Sequence, residues 1–138
     1  MEQMEPGLVL DTDVLVANLR GKNSSLKSLE GENLGTTVVN AFELFHGAYK
    51  SKQSLANLSA TRGLLASLEL LGLDVKAAER AGETLSQLQK SGYGIEIRDL
   101  LVGCIAREKG YSLLTFNVKH FRRIPGLHVI DAADTPRE

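Results

Sequence analysis

The sequence predicts an α/β fold in which a central, mostly parallel sheet is flanked by helices. Residues 7–11 (GLVLD) form a short apolar run typical of a strand that is buried on both faces. Strand-like and helix-like stretches alternate along the rest of the chain, and parallel strands need such crossover connections. With 138 residues, 43% of them hydrophobic, we expect a single domain over 1–138 with a polar tail from about 131.

The amino-terminal part supplies two strands and two helices. The first strand stops at Asp11, and Asp13 is expected to cap a helix over 14–20. A second short helix is expected over 24–30, because a glycine follows it. Residues 34–38 (LGTTV) then predict a weak strand.

The middle of the chain predicts two amphipathic helices. The first, over 39–51, carries Glu43, and its expected core face consists of Val38, Phe42, Phe45 and Tyr49. The second, over 54–68, is expected to bury Leu55, Leu58, Leu65 and Leu68. A short strand over 68–74 follows.

The carboxyl-terminal part continues the alternation. The expected elements are a helix over 75–89, a break at 91–94, a helix over 97–110 that stops at Gly110, a strand over 111–117, a helical turn over 118–121 and a last strand over 127–130.

Composition excludes several classes of protein. Lys and Arg number 16 against 17 Asp and Glu, so the net charge of -1 gives no global attraction to a polyanion. The single cysteine, Cys104, cannot form an internal disulfide and is expected to be a small core residue. No apolar run approaches the roughly 18 residues of a membrane span, and no leader-like segment precedes the first strand, so we expect a cytoplasmic protein.

Three acids lie in otherwise apolar stretches: Asp11 after LVL, Glu43 within AFELF and Asp99 before LLVGCIA. A buried ionised carboxylate is costly unless it is paired or bound to a metal, so a divalent cation would stabilise all three. Each acid also has an ordinary explanation. Asp11 could cap a helix, Glu43 could face solvent, and Asp99 could match the dipole of its helix.

The predicted topology brings these acids together. Asp11 and Asn117 should emerge at the carboxyl ends of their strands, with Glu43 and Asp99 on adjoining helices. Oxygen ligands favour Mg²⁺ or Mn²⁺, and the three histidines are too dispersed for a zinc motif. Such a site suits phosphodiester hydrolysis by a water that the cation activates.

Three sequence blocks, LDTDVLVANL, TTVVNAFELFHGA and EIRDLLVGCIAREKGYSLLTFNVKHFRRIPGL, resemble in that order the blocks of PIN domains, especially VapC-type toxins. The resemblance covers nearly the whole chain and implies a three-layer PIN-like fold. It assigns the metal-binding and catalytic acids to Asp11, Glu43 and Asp99, and it adds Thr115 and Asn117 to the catalytic set.

The sequence departs from the family pattern at two positions. Many PIN domains have a fourth Asp where this chain has Asn117, so we expect one tightly held Mg²⁺ or Mn²⁺ ion. Asp13 stands where Asn or Ser is common, and we expect it to cap a helix, with a water-mediated metal contact as the alternative. Glu96 is open to the same two interpretations.

The resemblance implies a toxin that cleaves single-stranded RNA, a small VapB-like antitoxin that silences it, and a homodimer. Arg98 and the basic segment 119–123 (KHFRR) could contact phosphates locally. The alternative for the segment is that it is only a solvated turn. Base stacking would require that Phe116, Phe121 or Tyr93 be exposed.

Two other functions fit parts of the sequence. LVLDTDVLV also matches the strand-Asp-x-Asp pattern of haloacid-dehalogenase-like phosphatases, with Asp11 as nucleophile and Asp13 as acid/base. That interpretation leaves Glu43 unexplained and lacks the later acidic block. The other is a catalytically silent PIN-like module that binds RNA or protein, which Asn117 suggests.

Overall fold

The computed structural model describes residues 7–21, 29 and 32–134. Its elements in chain order are β1 (Gly7–Leu10), α1 (Thr12–Leu19), β2 (Asn33–Thr37), α2 (Val38–Lys50), α3 (Ser54–Ala66), β3 (Glu69–Leu71), α4 (Val75–Lys90), α5 (Ile97–Glu108), β4 (Ser112–Thr115), α6 (Val118–Phe121) and β5 (Val129–Asp131), followed by a 3-10 turn over Ala132–Asp134. The helix expected over 24–30 falls outside the described residues, apart from Leu29.

The five strands form one sheet in the order β3-β2-β1-β4-β5, and all four pairings are parallel. The α/β fold predicted from the sequence is therefore confirmed. The chain builds one half of the sheet outward from β1 and then returns to add β4 on its other side. A crevice forms where the strand order reverses in this way, at the carboxyl ends of β1 and β4, where Asp11 and Thr115 lie.

Helices cover both faces of the sheet. Val9 of β1 packs in one hydrophobic cluster with residues of α4, α5 and α6. Its neighbours Leu8 and Leu10 pack in a second cluster with residues of α1 and α2. Successive side chains of a strand point to opposite faces, so these clusters lie on opposite sides of the sheet. The result is the three-layer arrangement that the family resemblance implies.

Small residues let α5 pack closely against the segment after α6. A Cβ atom at Gly103 would collide with the Ile124 side chain. The helix stops as predicted, with Gly110 at a φ of 75°, a conformation that glycine adopts without strain. This close packing fixes the helix whose first turn carries Asp99.

The predicted core face of α2 is wrong for three of its four residues, and the fourth, Phe45, is half-buried. Phe42 and Tyr49 are 67% and 64% exposed, and Val38 is exposed as well. The residues of α2 that are buried are Asn40, Ala41, Leu44 and Ala48. Two of them are alanines, and Asn40 can be buried because both the oxygen and the nitrogen of its side-chain amide are hydrogen-bonded. In α3, Leu58 is buried as expected, whereas Leu55 is 85% exposed.

Both ends of the described fold also differ from the predictions. Helix α1 begins at Thr12 with Asp11 as its N-cap, so the expected capping role of Asp13 is wrong. The chain stays packed beyond the predicted start of the tail, because Asp131 belongs to β5 and Ala132 is buried. Cys104 is fully buried, as expected for a core residue. Among the described helices, none is long and apolar enough to cross a bilayer.

Candidate active site

Asp11 is buried at the end of β1 and is held by hydrogen bonds on both oxygens. Its Oδ1 accepts bonds from the Thr12 backbone N–H at 2.9 Å and from Asn40 Nδ2 at 3.0 Å. Its Oδ2 accepts a bond from Thr115 Oγ1 at 2.8 Å. These donors come from three different elements, so they fix the orientation of the carboxylate.

Asn40 reaches Asp11 because of how α2 begins. Thr37 Oγ1 accepts from the Asn40 backbone N–H at 3.2 Å, and Asn40 Oδ1 accepts from the Thr37 N–H at 3.3 Å, which is a capping box. The Asn40 amide nitrogen is then directed at Asp11 and at Thr12 Oγ1, 2.9 Å away. Asn40 is not among the site residues predicted from the sequence. Its signal is the spacing T-x-x-N, in which Asn stands where a capping box usually has Glu or Gln.

Glu43 lies on α2 beside Asp11 and is about one-third exposed. Its Oε1 accepts from Thr12 Oγ1 at 2.6 Å and from Arg98 Nε at 2.8 Å. Burial opposes its ionisation, but the bonds from Arg98 and Thr12 outweigh burial and lower the pKa of Glu43. Thr12, which is also absent from the predicted site, links Glu43 to Asn40.

Asp99 is buried in the first turn of α5, on the other side of the same crevice. Its Oδ1 accepts from Arg98 Nη1 at 2.5 Å. On the open side, His120 Nδ1 lies 3.3 Å from Asp99 Oδ2. The predicted acids Asp11, Glu43 and Asp99 therefore lie around one point, although they come from three separate parts of the chain.

The Arg98 guanidinium occupies that point. Burial opposes its charge, but Glu43, Asp11 and Asp99 outweigh burial and raise the pKa of Arg98 above its ordinary value. Arg98 thus contacts carboxylates here, which differs from the phosphate contact expected from the sequence. Within 7–21, 29 and 32–134, no three acidic, His or Cys side chains are arranged as a ready metal-binding group. The acids are oriented toward the guanidinium instead.

Asp13 lies just beyond Asp11 with one oxygen bonded and the other not. Its Oδ2 accepts from the Phe116 backbone N–H at 3.2 Å and lies 3.4 Å from Thr115 Oγ1. Its Oδ1 is buried and has no hydrogen-bond partner among the described residues. Burial and the charge of Asp11 raise the pKa of Asp13 to about 6.

Asn117 and Glu96 lie at the edge of the crevice. Both are exposed, and the backbone N–H of Asn117 donates to Thr115 Oγ1 at 3.0 Å. The Asn117 side chain makes no bond to Asp11, Glu43 or Asp99. Thr115 is therefore the residue at the end of β4 that contacts the acid cluster.

A cavity of about 620 Å³ opens onto these residues. Its lining includes five acids (Asp11, Asp13, Glu43, Glu96 and Asp99) but two arginines (Arg20 and Arg98). This excess of carboxylate oxygens fits a hard divalent cation such as Mg²⁺ or Mn²⁺. The unpaired Asp13 oxygen and the guanidinium that already lies among the other acids also indicate a cation-binding site.

Aromatic residues near the cavity differ in exposure. Phe116 lines the cavity and is 37% exposed. Phe121 is fully buried in the core and is not available for stacking. Tyr93 is exposed, with the Arg123 guanidinium 5.9 Å from its ring centroid. Of these three aromatic residues, Phe116 is the one that lines the cavity.

Nearly the whole chain is similar in sequence to VapC ribonucleases. The tRNA(fMet)-specific endonuclease VapC of Shigella flexneri is 27% identical over 126 residues, which cover 89% of this chain and 96% of that protein. Ribonuclease VapC1 of Methanocaldococcus jannaschii is 31% identical over 133 residues, covering 95% and 92%.

The fold is also similar to that of solved VapBC structures. The DNA-bound VapBC of Salmonella typhimurium superposes with a TM-score of 0.86 at 25% identity, over 93% of this chain and 99% of the matched one. VapBC2 of Rickettsia felis, bound to a promoter DNA fragment, has a TM-score of 0.83 at 28% identity and covers 90% and 97%. Residues 8–127 also match the family model of the PIN domain. The chain belongs to the PIN-domain family.

Proposed function

We propose that this protein is a divalent-metal-dependent endoribonuclease that cleaves single-stranded RNA and is the toxin of a VapBC-type toxin–antitoxin pair. The observation that carries the proposal is the convergence of Asp11, Glu43 and Asp99 on one cavity at the switch point of the sheet. The alignment with VapC ribonucleases over about nine tenths of the chain supplies the substrate class.

In this proposal, Asp11, Glu43 and Asp99 hold one Mg²⁺ or Mn²⁺ ion, and Asn117 contributes at most a neutral contact. When bound, the ion lowers the pKa of a water molecule and stabilises the charge that develops on the phosphate. Asn40 and Thr115 position Asp11, because their hydrogen bonds fix its two oxygens.

The open side of the cavity suits a single RNA strand. Phe116 is exposed enough for a base to stack on its ring. Lys119 and Arg122 are exposed on the segment 119–123 and can contact phosphates without any global positive charge. His120, in the same segment, lines the cavity and lies 3.3 Å from Asp99, at the side where substrate would enter.

The proposed partners are a VapB-like antitoxin and a second copy of this chain. The two similar structures reported above are both VapBC complexes bound to DNA. Co-expression with the product of a short neighbouring open reading frame should give a stable complex in size-exclusion chromatography, and the chain alone should elute as a dimer. Elution of a monomer that captures no such product would contradict this part of the proposal.

The phosphatase alternative is set aside because the family match spans 8–127 and Glu43 lies with Asp11 in one cluster.

An RNA cleavage assay distinguishes the proposed nuclease from the alternative, a catalytically silent module. Full-length protein, freed from any antitoxin and from metal by chelation, should cleave single-stranded RNA when Mg²⁺ or Mn²⁺ is added and should stop when chelator is restored. A duplex of the same sequence is the matched control and should remain intact. Absence of cleavage with either ion would favour the silent module.

A further inference from the structure

The guanidinium of Arg98 binds all three acids that are proposed to hold the metal. Nη2 lies 2.6 Å from Asp11 Oδ1, Nε donates to Glu43 Oε1 at 2.8 Å, and Nη1 donates to Asp99 Oδ1 at 2.5 Å. Each acid presents one oxygen to this group. A charged residue of the chain itself thus fills the position between the three carboxylates.

A divalent cation and this guanidinium cannot occupy the cluster together. Mg²⁺ binds oxygens at roughly 2.0–2.1 Å in a strict octahedral geometry, so its ligands must turn toward one point. The oxygens of Asp11 and Glu43 that face inward are already bonded to Arg98, and a second positive charge between them would be repelled.

We propose that Arg98 is a built-in counter-ion that fills the carboxylate cluster in the metal-free protein and competes with the divalent cation for it. The inference rests on the proposed metal site. Arginine remains protonated at all physiological pH values, so the competition depends on metal concentration rather than on pH.

The position of Arg98 allows this exchange. It lies in the first turn of α5, next to Asp99, so the backbone keeps it close to the cluster. Its side chain is 26% exposed and lines the cavity, so rotation of the side chain can move it outward without a change in α5. In the metal-free protein, its contacts keep three neighbouring carboxylates from repelling one another.

The competing explanation is that Arg98 orients the acids and so assists metal binding. The two explanations predict opposite changes in metal affinity when the charge is removed. If Arg98 fills the cluster nine tenths of the time, the apparent affinity is lowered about tenfold. Arg98→Gln should then bind Mn²⁺ about tenfold more tightly than the wild type, whereas loss of an orienting residue would weaken binding.

The test is a calorimetric titration of metal-free, full-length protein with Mn²⁺, in the absence of RNA. Arg20→Gln is the matched control, because Arg20 lines the same cavity but makes no ion pair with the described acids of the cluster. We expect less than about a threefold change for this control, since its charge acts only at a distance through solvent. Unchanged or weaker Mn²⁺ binding by Arg98→Gln would overturn the inference.

A second measurement needs no variant and covers the case in which Arg98→Gln does not fold. In ¹⁵N-labelled wild-type protein, the Nε–H resonance of Arg98 should shift and exchange faster with solvent as Mg²⁺ is added, because its bond to Glu43 is lost. Mg²⁺ binding that leaves this resonance unchanged would contradict the inference. Neither measurement uses RNA, so a protein that shows the exchange but cleaves no RNA would refute the proposed function alone.

Discussion

The two ends of α5 each hold a half-buried or buried arginine, and the two arginines differ in the charges around them. Arg98, at the amino end, faces three carboxylates. Arg107, at the other end, bonds one carboxylate, Glu108 at 3.1 Å, and two neutral oxygens, Pro125 O at 2.9 Å and Thr84 Oγ1 at 3.0 Å.

This difference separates a functional arginine from a structural one. The charge of Arg107 is balanced locally, and its side chain is only 11% exposed, so its bonds hold α4, α5 and the loop after α6 together. At the amino end, the negative charge exceeds what one guanidinium can neutralise. A fold gains nothing in stability from such an excess, whereas a cation site requires it.

The largest expected effect is the loss of RNA cleavage when one carboxylate beside Arg98 is neutralised. Asp11→Asn should lower RNA cleavage by at least about a hundredfold, because loss of a residue that merely positions a metal ligand already costs about 10- to 100-fold. Cleavage rates of single-stranded RNA under saturating Mn²⁺ measure this, with circular dichroism to check the fold. Asp134→Asn, at an exposed turn, is the control. An unchanged rate for Asp11→Asn would place the site elsewhere.

At the carboxyl end of α5, removal of the arginine should lower the stability of the fold and leave metal binding unchanged. Arg107→Met should lower the free energy of unfolding by about 2 kcal/mol, because it removes the charged donor of Thr84 and the closer of the two cations beside Glu108. Urea denaturation measures the loss, and Mn²⁺ affinity should stay the same. Arg80→Met is the control, because Arg80 is half-exposed and its nearest carboxylates lie 3.6 and 3.8 Å away. A change in Mn²⁺ affinity for Arg107→Met would remove the distinction between the two ends.

A smaller effect is expected where the site is supported from β4. Thr115→Val removes the donor to Asp11 Oδ2 and should weaken Mn²⁺ binding and cleavage by about tenfold. Thr115→Ser keeps the hydroxyl and should restore both. If the serine variant is as impaired as the valine variant, packing rather than the hydrogen bond is responsible.

The smallest effect concerns Asp13. Its pKa of about 6 in the folded protein exceeds its ordinary value, 3.8, so the folded state binds this proton more tightly than the unfolded state does. The resulting stability is present below about pH 4 and is lost as the pH rises through about 6. With chelator present, Asp13→Asn should match the wild type near pH 4 and exceed it by about 1 kcal/mol near pH 7.5, after discounting for partial exposure.

Urea denaturation at a series of pH values measures the Asp13 effect. A difference between the variant and the wild type that does not change with pH would show that ionisation of Asp13 is not its cause. The control is again Asp134→Asn, which lies on the exposed surface.

Local patterns were enough to predict much of the fold. The apolar run before Asp11, the helical spacing around Asp99 and the stop at Gly110 are all signals from neighbouring residues. They place β1, α5 and the carboxyl ends of the strands correctly, and so they bring the predicted acids into one region.

Features that depend on distant contacts were not predictable in this way. Asn40 looked like an ordinary helix residue, because its bond to Asp11 spans 29 positions of sequence. Phe42 was expected in the core because hydrophobicity does not reveal which helix face meets a partner. Arg98 was expected to bind phosphate, since its charge was visible in the sequence but its three carboxylate partners were not.

The most direct test of the proposed metal site is to follow Mn²⁺ binding and RNA cleavage in parallel as the ion is added to metal-free wild-type protein. We predict that cleavage rises with the same midpoint as occupancy of the site, and that Asp11→Asn reduces both. Cleavage at full rate before the site is occupied, or occupancy that Asp11→Asn leaves unchanged, would contradict the assignment of these carboxylates as the metal site of a ribonuclease.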